Sequence, residues 1–332
     1  MRPDLGQSRP GPTMDVYFYE VFEEEARLIK SLVGDRLEFG LTDRTIQESG
    51  HRQPPARLIS VRTQSVIPLD WQDRLDGVLS RTTGFDNLKA YKQVITAPVA
   101  LGYLEEYATR AVAEQAVLMM LALLRKLPRQ LEQFRRFERD GLTGKECQQR
   151  HLLVVGVGRI GGEIVRLSQG LGMQVRGVDI VRRHSFVQYV EPGDGLPWAE
   201  VIVCAMNLTE ENYHYFSYEV LKKAPTGVIF INIARGEHAP LADLLRLLKE
   251  GHLGGLGLDV FEEEAEVGTA MRTGRLEKSE KATIVARLLK YPNVILTPHN
   301  AFNTAEALER KARFSVEEIF YFLEHRAFRN SV

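Results

Sequence analysis

The sequence predicts an α/β protein built from two doubly wound domains. From Met14, short β-branched or aromatic runs alternate with helical segments, which is typical of a parallel sheet covered by helices. A second series of short apolar runs begins at His151, each near the length of a buried strand. The chain has 332 residues, too many for one ordinary core and suitable for two domains of about 150 residues each.

The first series leads into a long helix. Its predicted strands are MDVYFYE, ARLISV, LDGVLS and KQVITA, and EEEARLIKSLV is predicted as a helix. A helix from Thr109 to Leu127 is expected to end at Pro128. Its apolar stretch, Ala111 to Leu124, contains Glu114 and is shorter than the roughly 20 residues of a membrane span, so we expect a buried or interface helix.

The second series indicates another parallel sheet. Its predicted strands are HLLVVG, MQVRGVD, VIVCAM, GVIFINIA, GGLGLDVF and NVILTPH. The helical segments between them include RIGGEIVRLSQGLG and PLADLLRLLKEGHLG. This order predicts a doubly wound domain. The chain closes with AEALERKARFSVEEIFYFLEHR, a long amphipathic helix with no strand after it.

Composition excludes several partner classes. The net charge is −1 and the charged residues are well mixed. We therefore expect a small molecule as the partner, and neither nucleic acid nor a membrane surface. The two cysteines, Cys147 and Cys204, suit a reducing cytoplasm. The opening MRPDLGQSRPGPT lacks an apolar core, so we expect a frayed extension and neither a secretory signal nor an anchor.

A dinucleotide-binding motif opens the second series. Gly156, Gly158 and Gly161 have the spacing G-x-G-x-x-G, directly after an apolar strand and at the start of a helix. The first glycine permits a tight turn, the second lets a pyrophosphate approach the backbone, and the third lets helix and strand pack closely. The alternative is a flexible surface loop, which this context disfavours.

An acidic residue completes the motif. Asp179 ends the next strand, eighteen positions after Gly161, where a carboxylate can accept from both ribose hydroxyls and repel a 2′-phosphate. The sequence therefore predicts NAD as the cofactor. Arg182 and Arg183 follow and leave NADP as the alternative, although such a pair is more often a solvated surface.

Three complementary side chains follow strands of the second sheet. Arg235 follows GVIFINIA, Glu264 follows GLGLDVF and His299 follows NVILTP. Ligands of open α/β sheets bind beyond the carboxyl ends of the strands, so these groups form a candidate catalytic site. Arginine can bind a substrate carboxylate, histidine can exchange a proton with a carbonyl oxygen, and the glutamate can stabilise the protonated imidazole.

Alternative structural roles exist for two of these residues, His299 and Arg235. His299 could be a hydrogen-bonded loop histidine, and Arg235 could pair with a nearby acid. We expect Glu262 and Glu263 to be solvated loop charges. Asp259 is expected to cap a helix, to hydrogen-bond a loop or to support the cofactor. No metal site is predicted.

These motifs resemble the D-isomer-specific 2-hydroxyacid dehydrogenases, NAD-dependent enzymes that reduce 2-keto acids. The resemblance is clearest from about Gly144 to Ala305, where VVGVGRIG, INIARGE, GLDVFEEE and TPHNAF occur in family order. It implies that Glu264 pairs with His299 and that Asp259 lies near the nicotinamide. The resemblance also implies a set of cofactor-binding residues: Gly156, Gly158, Arg159, Ile160, Gly161, Asp179, Met206, Asn207, Asn212, Ile233, Ala234, Arg235 and Asp259.

The resemblance extends to the first half of the chain. RTTGFDNL is similar to the loop that binds the substrate carboxylate, which implies backbone contacts from Thr83 and Gly84 beside Arg235, and VRTQ implies Arg62 and Thr63 as further candidates. Candidate pocket side chains are Leu101, Tyr103 and Phe302. Three departures from the family pattern concern loop shape: Asn207 for the usual proline, EHAPLAD after Arg235, and Ala265 for a common proline.

The family architecture implies a Rossmann NAD-binding domain inserted into a smaller flavodoxin-like substrate domain. We therefore expect the substrate domain at residues 1–107 and 302–332, and the NAD-binding domain at residues 108–301. AVAEQAVLMMLALLRK resembles the helix that packs in the family's homodimer, and the PHNAF pattern leans toward the D-lactate dehydrogenase branch. The alternative functions are a formate dehydrogenase-like enzyme and an NAD-sensing, corepressor-like interaction protein.

Overall fold

The computed structural model describes residues 14–332, so the expected frayed extension lies outside the described residues. The chain divides into two compact units, Met1–Ala108 with Thr304–Val332, and Thr109–Asn303. Each unit contains one parallel sheet, as the two series of apolar runs predict.

The first unit is a five-stranded parallel sheet in the order β2-β1-β3-β4-β5, the flavodoxin-like order. The final helix α12 packs on α1, so both ends of the chain build this unit. Its elements are β1 (Met14–Phe18), α1 (Glu23–Val33), β2 (Phe39–Leu41), α2 (Ile46–Ser49), β3 (Ala56–Val61), β4 (Gly77–Ser80), α3 (Asp86–Val94), β5 (Ala100–Tyr103) and α12 (Ala305–His325).

The prediction of a strand at KQVITA was wrong. Its first three residues end α3, where Leu88 and Tyr91 are buried one helical turn apart, and β5 begins later, at Ala100. Strand β2 was missed because it is only three residues long, Phe39-Gly40-Leu41, which is too short to show a strand periodicity.

The second unit is a seven-stranded parallel sheet in the order β12-β11-β10-β9-β6-β7-β8. The order reverses between β6 and β9, which is the switch point where doubly wound folds bind nucleotides. Its elements are α4 (Thr109–Leu124), α5 (Leu127–Phe134), β6 (His151–Val155), α6 (Arg159–Gly170), β7 (Gln174–Val178), β8 (Gln188–Tyr189), α7 (Pro192–Gly195), β9 (Val201–Cys204), α8 (Tyr218–Leu221), β10 (Val228–Asn232), α9 (Leu241–Lys249), β11 (Leu253–Leu258), α10 (Glu264–Thr273), α11 (Glu280–Leu288) and β12 (Val294–Leu296).

Helix α4 ends earlier than predicted. Lys126 adopts a left-handed conformation (φ 53°), and Pro128 lies in the first turn of α5, where its missing N–H costs nothing. Proline here starts a helix instead of ending one. The apolar face of α4 is buried as expected: Met119 is 1% exposed. A Cβ at Gly257 would lie 3.2 Å from Met119 Sδ, so the glycines of β11 let this helix approach the sheet closely.

One register row places the predicted site residues at a single edge of the second sheet. Six residues pair laterally across this edge: Leu296, Leu258, Asn232, Cys204, Val155 and Val178. Each is the last residue of its strand. His299, Asp259, Arg235, Met206, Gly156 and Asp179 follow these six strands in turn. Neighbouring strands lie about 4.8 Å apart, so short loops from this edge bring distant parts of the sequence together.

Within residues 14–332, no helix is both long enough and apolar enough to cross a membrane.

Candidate functional site

The glycine motif has a backbone that fits a dinucleotide phosphate. Gly156 has φ +88°, and a Cβ there would lie 2.5 Å from Met206 N. A Cβ at Gly161 would lie 2.0 Å from Gly156 O, so helix α6 packs directly on the turn. A Cβ at Gly158 would meet no atom within 4 Å, so the backbone there is open to a ligand. These are the three roles that the spacing predicts.

Asp179 forms hydrogen bonds with the glycine loop, and it lies at the position where the cofactor ribose is expected. Its Oδ2 accepts from Val157 N at 2.5 Å, and its Oδ1 accepts from Val181 N at 2.9 Å. Each carboxylate oxygen accepts more than one hydrogen bond, so ribose hydroxyls can still be bound. Arg182 forms an exposed ion pair with Glu191 at 3.0 Å, which fits the solvated-surface interpretation of this arginine.

The other predicted cofactor residues lie at the start of α6 and on the loops after β9 and β10. Asn212 holds the loop after β9, since its Nδ2 donates to Asn207 O at 2.7 Å and its Oδ1 accepts from Thr209 N at 2.8 Å. Both polar atoms of the Asn212 side chain are therefore hydrogen-bonded within this loop. Exposure varies among the rest: Arg159 and Asn207 are exposed, Ile160 and Met206 are half-buried, and Ile233 and Ala234 are buried.

His299 and Glu264 form the predicted pair. His299 Nδ1 lies 2.8 Å from Glu264 Oε1 and 3.0 Å from Oε2, and the side chains are 26% and 23% exposed. Glu264 begins α10. Because the carboxylate fixes Nδ1 as the protonated nitrogen, Nε2 is the nitrogen that can exchange a proton with a substrate. His299 is in the left-handed region, with φ +50°, a conformation that costs energy and is found at functional sites.

Asp259 holds the turn that carries His299. This side chain is 1% exposed and accepts hydrogen bonds from Thr297 Oγ1, from Asn300 N at 2.8 Å and from Ala301 N at 2.9 Å. Burial raises the pKa of Asp259, and these hydrogen bonds oppose the rise. Of the roles expected for Asp259, hydrogen bonding to a loop is the one observed.

Arg235 is placed by its neighbours on the loop after β10. Asn232, 1% exposed, donates from Nδ2 to Arg235 O at 2.8 Å and accepts from Ala234 N at 3.0 Å. A Cβ at Gly236 would lie 1.8 Å from the carbonyl carbon of Phe261, so the Arg235 loop lies directly on the segment before Glu264. Sequence reasoning missed Asn232; the signal was a lone amide ending an otherwise apolar strand.

The expectation for Glu262 was wrong. This carboxylate is 4% exposed and bridges three segments. Its Oε1 accepts from His214 Nε2 at 3.0 Å, and its Oε2 accepts from Leu241 N at 2.8 Å and Lys281 Nζ at 3.0 Å. Burial is tolerated because each carboxylate oxygen has a donor. Glu263, in contrast, is exposed, as expected.

The first unit presents the predicted substrate loop after β4. Thr83 is exposed and Gly84 half-buried. Thr82 Oγ1 donates to Gly84 O at 2.6 Å, which tightens the loop. Tyr103 packs on Phe85 with ring centroids 4.2 Å apart.

The remaining first-unit candidates are less accessible. The Arg62 guanidinium lies 4.6 Å from the Phe22 ring, while Thr63 is half-buried. Leu101 is a core residue of this unit, which does not support a pocket role. In the second unit, Phe302 is 6% exposed. Among the described residues no group of three or more His, Cys, Asp or Glu is arranged to hold a metal ion.

Comparisons with known proteins agree with this geometry. The profile of the D-isomer specific 2-hydroxyacid dehydrogenase NAD-binding domain matches residues 117–301. The 2-hydroxyacid dehydrogenase A of Aspergillus oryzae is 31% identical over 264 residues, 77% of this chain and 74% of that protein. An aromatic 2-oxoacid reductase of Clostridium sporogenes is 30% identical over 243 residues, 71% of this chain and 72% of the relative.

A solved structure is similar over nearly the whole chain. The D-lactate dehydrogenase of Aquifex aeolicus, complexed with NAD and lactic acid, has a TM-score of 0.84 at 26% identity, and the match covers 96% of this chain and 99% of that one.

Proposed function

Because this chain belongs to the D-isomer-specific 2-hydroxyacid dehydrogenases, a family of NAD-dependent oxidoreductases, we propose that it interconverts a small 2-keto acid and the D-2-hydroxy acid. The single observation that carries the proposal is the hydrogen-bonded pair of His299 and Glu264 on the sheet edge that also bears the glycine motif. That pair supplies a proton donor where the cofactor-binding loops converge.

Each side chain has a distinct role in the proposed reaction. Bound NADH supplies the hydride. His299 Nε2 gives a proton to the carbonyl oxygen during reduction and takes it back during oxidation, and Glu264 stabilises the imidazolium. The Arg235 guanidinium binds the substrate carboxylate and polarises the carbonyl oxygen. We also assign carboxylate contacts to the N–H groups of Thr83 and Gly84.

We propose that the second unit binds NAD and that the first unit supplies substrate contacts. Asp179 favours NAD over NADP, since a carboxylate at this position repels a 2′-phosphate. The substrate is a small 2-keto acid. Relatives named D-lactate dehydrogenase and aromatic 2-oxoacid reductase make pyruvate and phenylpyruvate the first two to assay.

The central experiment is His299→Gln, assayed with NADH and a panel of 2-keto acids. We expect kcat to fall by about 10²–10⁴-fold because the general acid is lost, while the Kd for NADH stays within twofold. His325→Gln is the matched control, since His325 is exposed on α12 and should retain full activity. Undiminished turnover in His299→Gln would remove His299 from the mechanism.

The same panel separates the alternative functions. An NAD-sensing protein would bind NADH without reducing any 2-keto acid. A formate dehydrogenase-like enzyme would oxidise formate, but its histidine pairs with glutamine, whereas His299 pairs with Glu264. The comparisons favour neither alternative.

We further propose a cytoplasmic homodimer formed through α4 and α5. These helices and the residues after them expose five large apolar side chains: Leu118, Leu127, Leu131, Phe134 and Phe137. The ring centroids of Phe134 and Phe137 lie 6.3 Å apart, and clustered exposed apolar side chains mark an interaction site. Sedimentation should show a dimer, and Leu131→Ser combined with Phe134→Ser should yield monomers; a monomeric parent protein would refute the proposal. The cytoplasmic location is supported by the two free cysteines.

A further inference from the structure

A fully buried ion cluster lies inside the first unit and contains none of the residues assigned above to catalysis or substrate binding. Arg81 Nε donates to Glu25 Oε1 at 3.1 Å, and Lys311 Nζ donates to Glu25 Oε2 at 2.9 Å. All three side chains are 0% exposed. They come from the residue after β4, from α1 and from α12, so one carboxylate joins three parts of the unit.

Stability alone is a poor explanation for this cluster. Two cations share one carboxylate without contact with solvent, and well-packed apolar side chains in such positions are often as stable or more stable. The arrangement does, however, fix geometry, because each buried charge tolerates few alternative positions. The cluster therefore favours a positioning role over a stabilising one.

Of the three residues, Arg81 is the one that also forms hydrogen bonds with the ends of the strands. Its Nη1 donates to Ser60 Oγ at 3.1 Å and its Nη2 to Tyr19 O at 2.6 Å and Glu20 O at 3.3 Å. The guanidinium thus spans the carboxyl ends of β1 and β3. Its own backbone N–H donates to Val61 O at 2.8 Å, which extends the strand pairing by one residue. The next three residues are Thr82, Thr83 and Gly84.

We propose that Arg81 is a positioning residue for substrate binding, whose guanidinium, held by Glu25, fixes the backbone of residues 82–84 against the sheet for a substrate carboxylate. The inference rests on the proposed function, which assigns the N–H groups of Thr83 and Gly84 to that carboxylate. Displacement of bound groups by about 1 Å can lower activity by about 10²-fold, so a rigid anchor next to the loop affects binding directly.

The cluster contains its own matched control. Arg81→Met and Lys311→Met each remove one buried cation and each leave Glu25 paired with the other. Only Arg81→Met removes the bonds to Ser60, Tyr19 and Glu20. We expect Arg81→Met to raise the KM for the 2-keto acid at least tenfold, and Lys311→Met to raise it less than threefold. The Kd for NADH, measured by fluorescence, should stay within twofold in both.

A second readout does not depend on turnover. Hydrogen exchange of the peptide spanning residues 79–84 should be at least tenfold faster in Arg81→Met than in the parent protein, and within threefold in Lys311→Met. If Arg81→Met does not fold, Arg81→Lys replaces it, since lysine can reach Glu25 but cannot form the fork to β1 and β3. The same increases in KM and exchange rate are expected of it.

The outcomes separate the two proposals. Equal changes in KM and in hydrogen exchange in Arg81→Met and Lys311→Met would show that the cluster serves only the fold, and would overturn the role of Arg81. If the parent protein reduces no 2-keto acid, the proposed function fails. The exchange data alone then decide whether Arg81 fixes the loop, with unchanged exchange overturning that role.

Discussion

Three consecutive carboxylates, Glu262, Glu263 and Glu264, provide a sharp test of the site. Each should respond differently to replacement by glutamine, although the chemical change is identical. Glu262 is buried and bridges three segments, Glu263 is exposed, and Glu264 pairs with His299. We expect loss of stability from the first, no effect from the second, and loss of turnover from the third.

The magnitude for Glu262→Gln follows from its hydrogen bonds. Hydrogen bonds to a charged group contribute about 1.5–3 kcal/mol each. Glutamine has one acceptor oxygen in place of two. The donors on the side that receives the amide nitrogen lose their acceptor: either His214 Nε2, or Leu241 N together with Lys281 Nζ. If the amide oxygen faces Leu241 N and Lys281 Nζ, only the bond to His214 Nε2 is lost, so we expect the free energy of unfolding to fall by about 2–3 kcal/mol. For a unit of this size, that lowers Tm by about 5–10 °C.

Thermal denaturation and steady-state kinetics distinguish the three variants. Glu264→Gln should keep its Tm within about 2 °C and lose about 10–100-fold in kcat, since the imidazolium loses its charged partner. Glu263→Gln should change neither quantity. A Glu262→Gln variant that melts at the temperature of the parent protein, or a Glu263→Gln variant that loses stability or turnover, would refute these three roles.

Three further expectations follow from buried titratable groups. Asp259→Ala should lose both stability and turnover because two backbone N–H groups lose their acceptor, at about 1–3 kcal/mol each; unchanged melting and kcat would contradict this. Burial, with repulsion from two arginines, lowers the pKa of Lys311 to about 7. The unfolded lysine keeps its proton to higher pH than the folded one. The free energy of unfolding of the parent protein, measured by urea denaturation, should therefore rise relative to that of Lys311→Met between about pH 7 and 10, and a fall over this range would contradict the prediction. Burial raises the pKa of Cys204 to about 12, so mass spectrometry after thiol labelling at pH 8 should find Cys147 modified first.

Much of the fold could be predicted because strand and helix signals are strong where burial is complete. All six runs of the second series contain strands, and the glycine motif lies at the predicted strand-to-helix turn. The errors occurred where the local signal is ambiguous. KQVITA carries β-branched residues yet ends a helix, and Pro128 fits either a helix end or a helix start.

In the candidate site, too, some residues could be predicted from the sequence and others could not. Arg235, Glu264 and His299 could be proposed from their positions after strands, because a parallel sheet collects its carboxyl ends at one edge. The supporting residues could not. Glu262 looks like its neighbour Glu263 in sequence, and only tertiary packing decides that one is buried. Arg81 likewise gave no signal, since its partners Glu25 and Lys311 are distant in the chain.

The return of α12 to the first unit has a consequence for biosynthesis. The strands β1–β5 leave the ribosome first, but the helix that packs on α1 and brings Lys311 to Glu25 is translated only after the whole second unit. Domains generally fold as units during synthesis. The second unit, which is continuous in sequence, can therefore fold before α12 has been synthesised, whereas the earlier-made strands can complete their packing only once α12 has emerged.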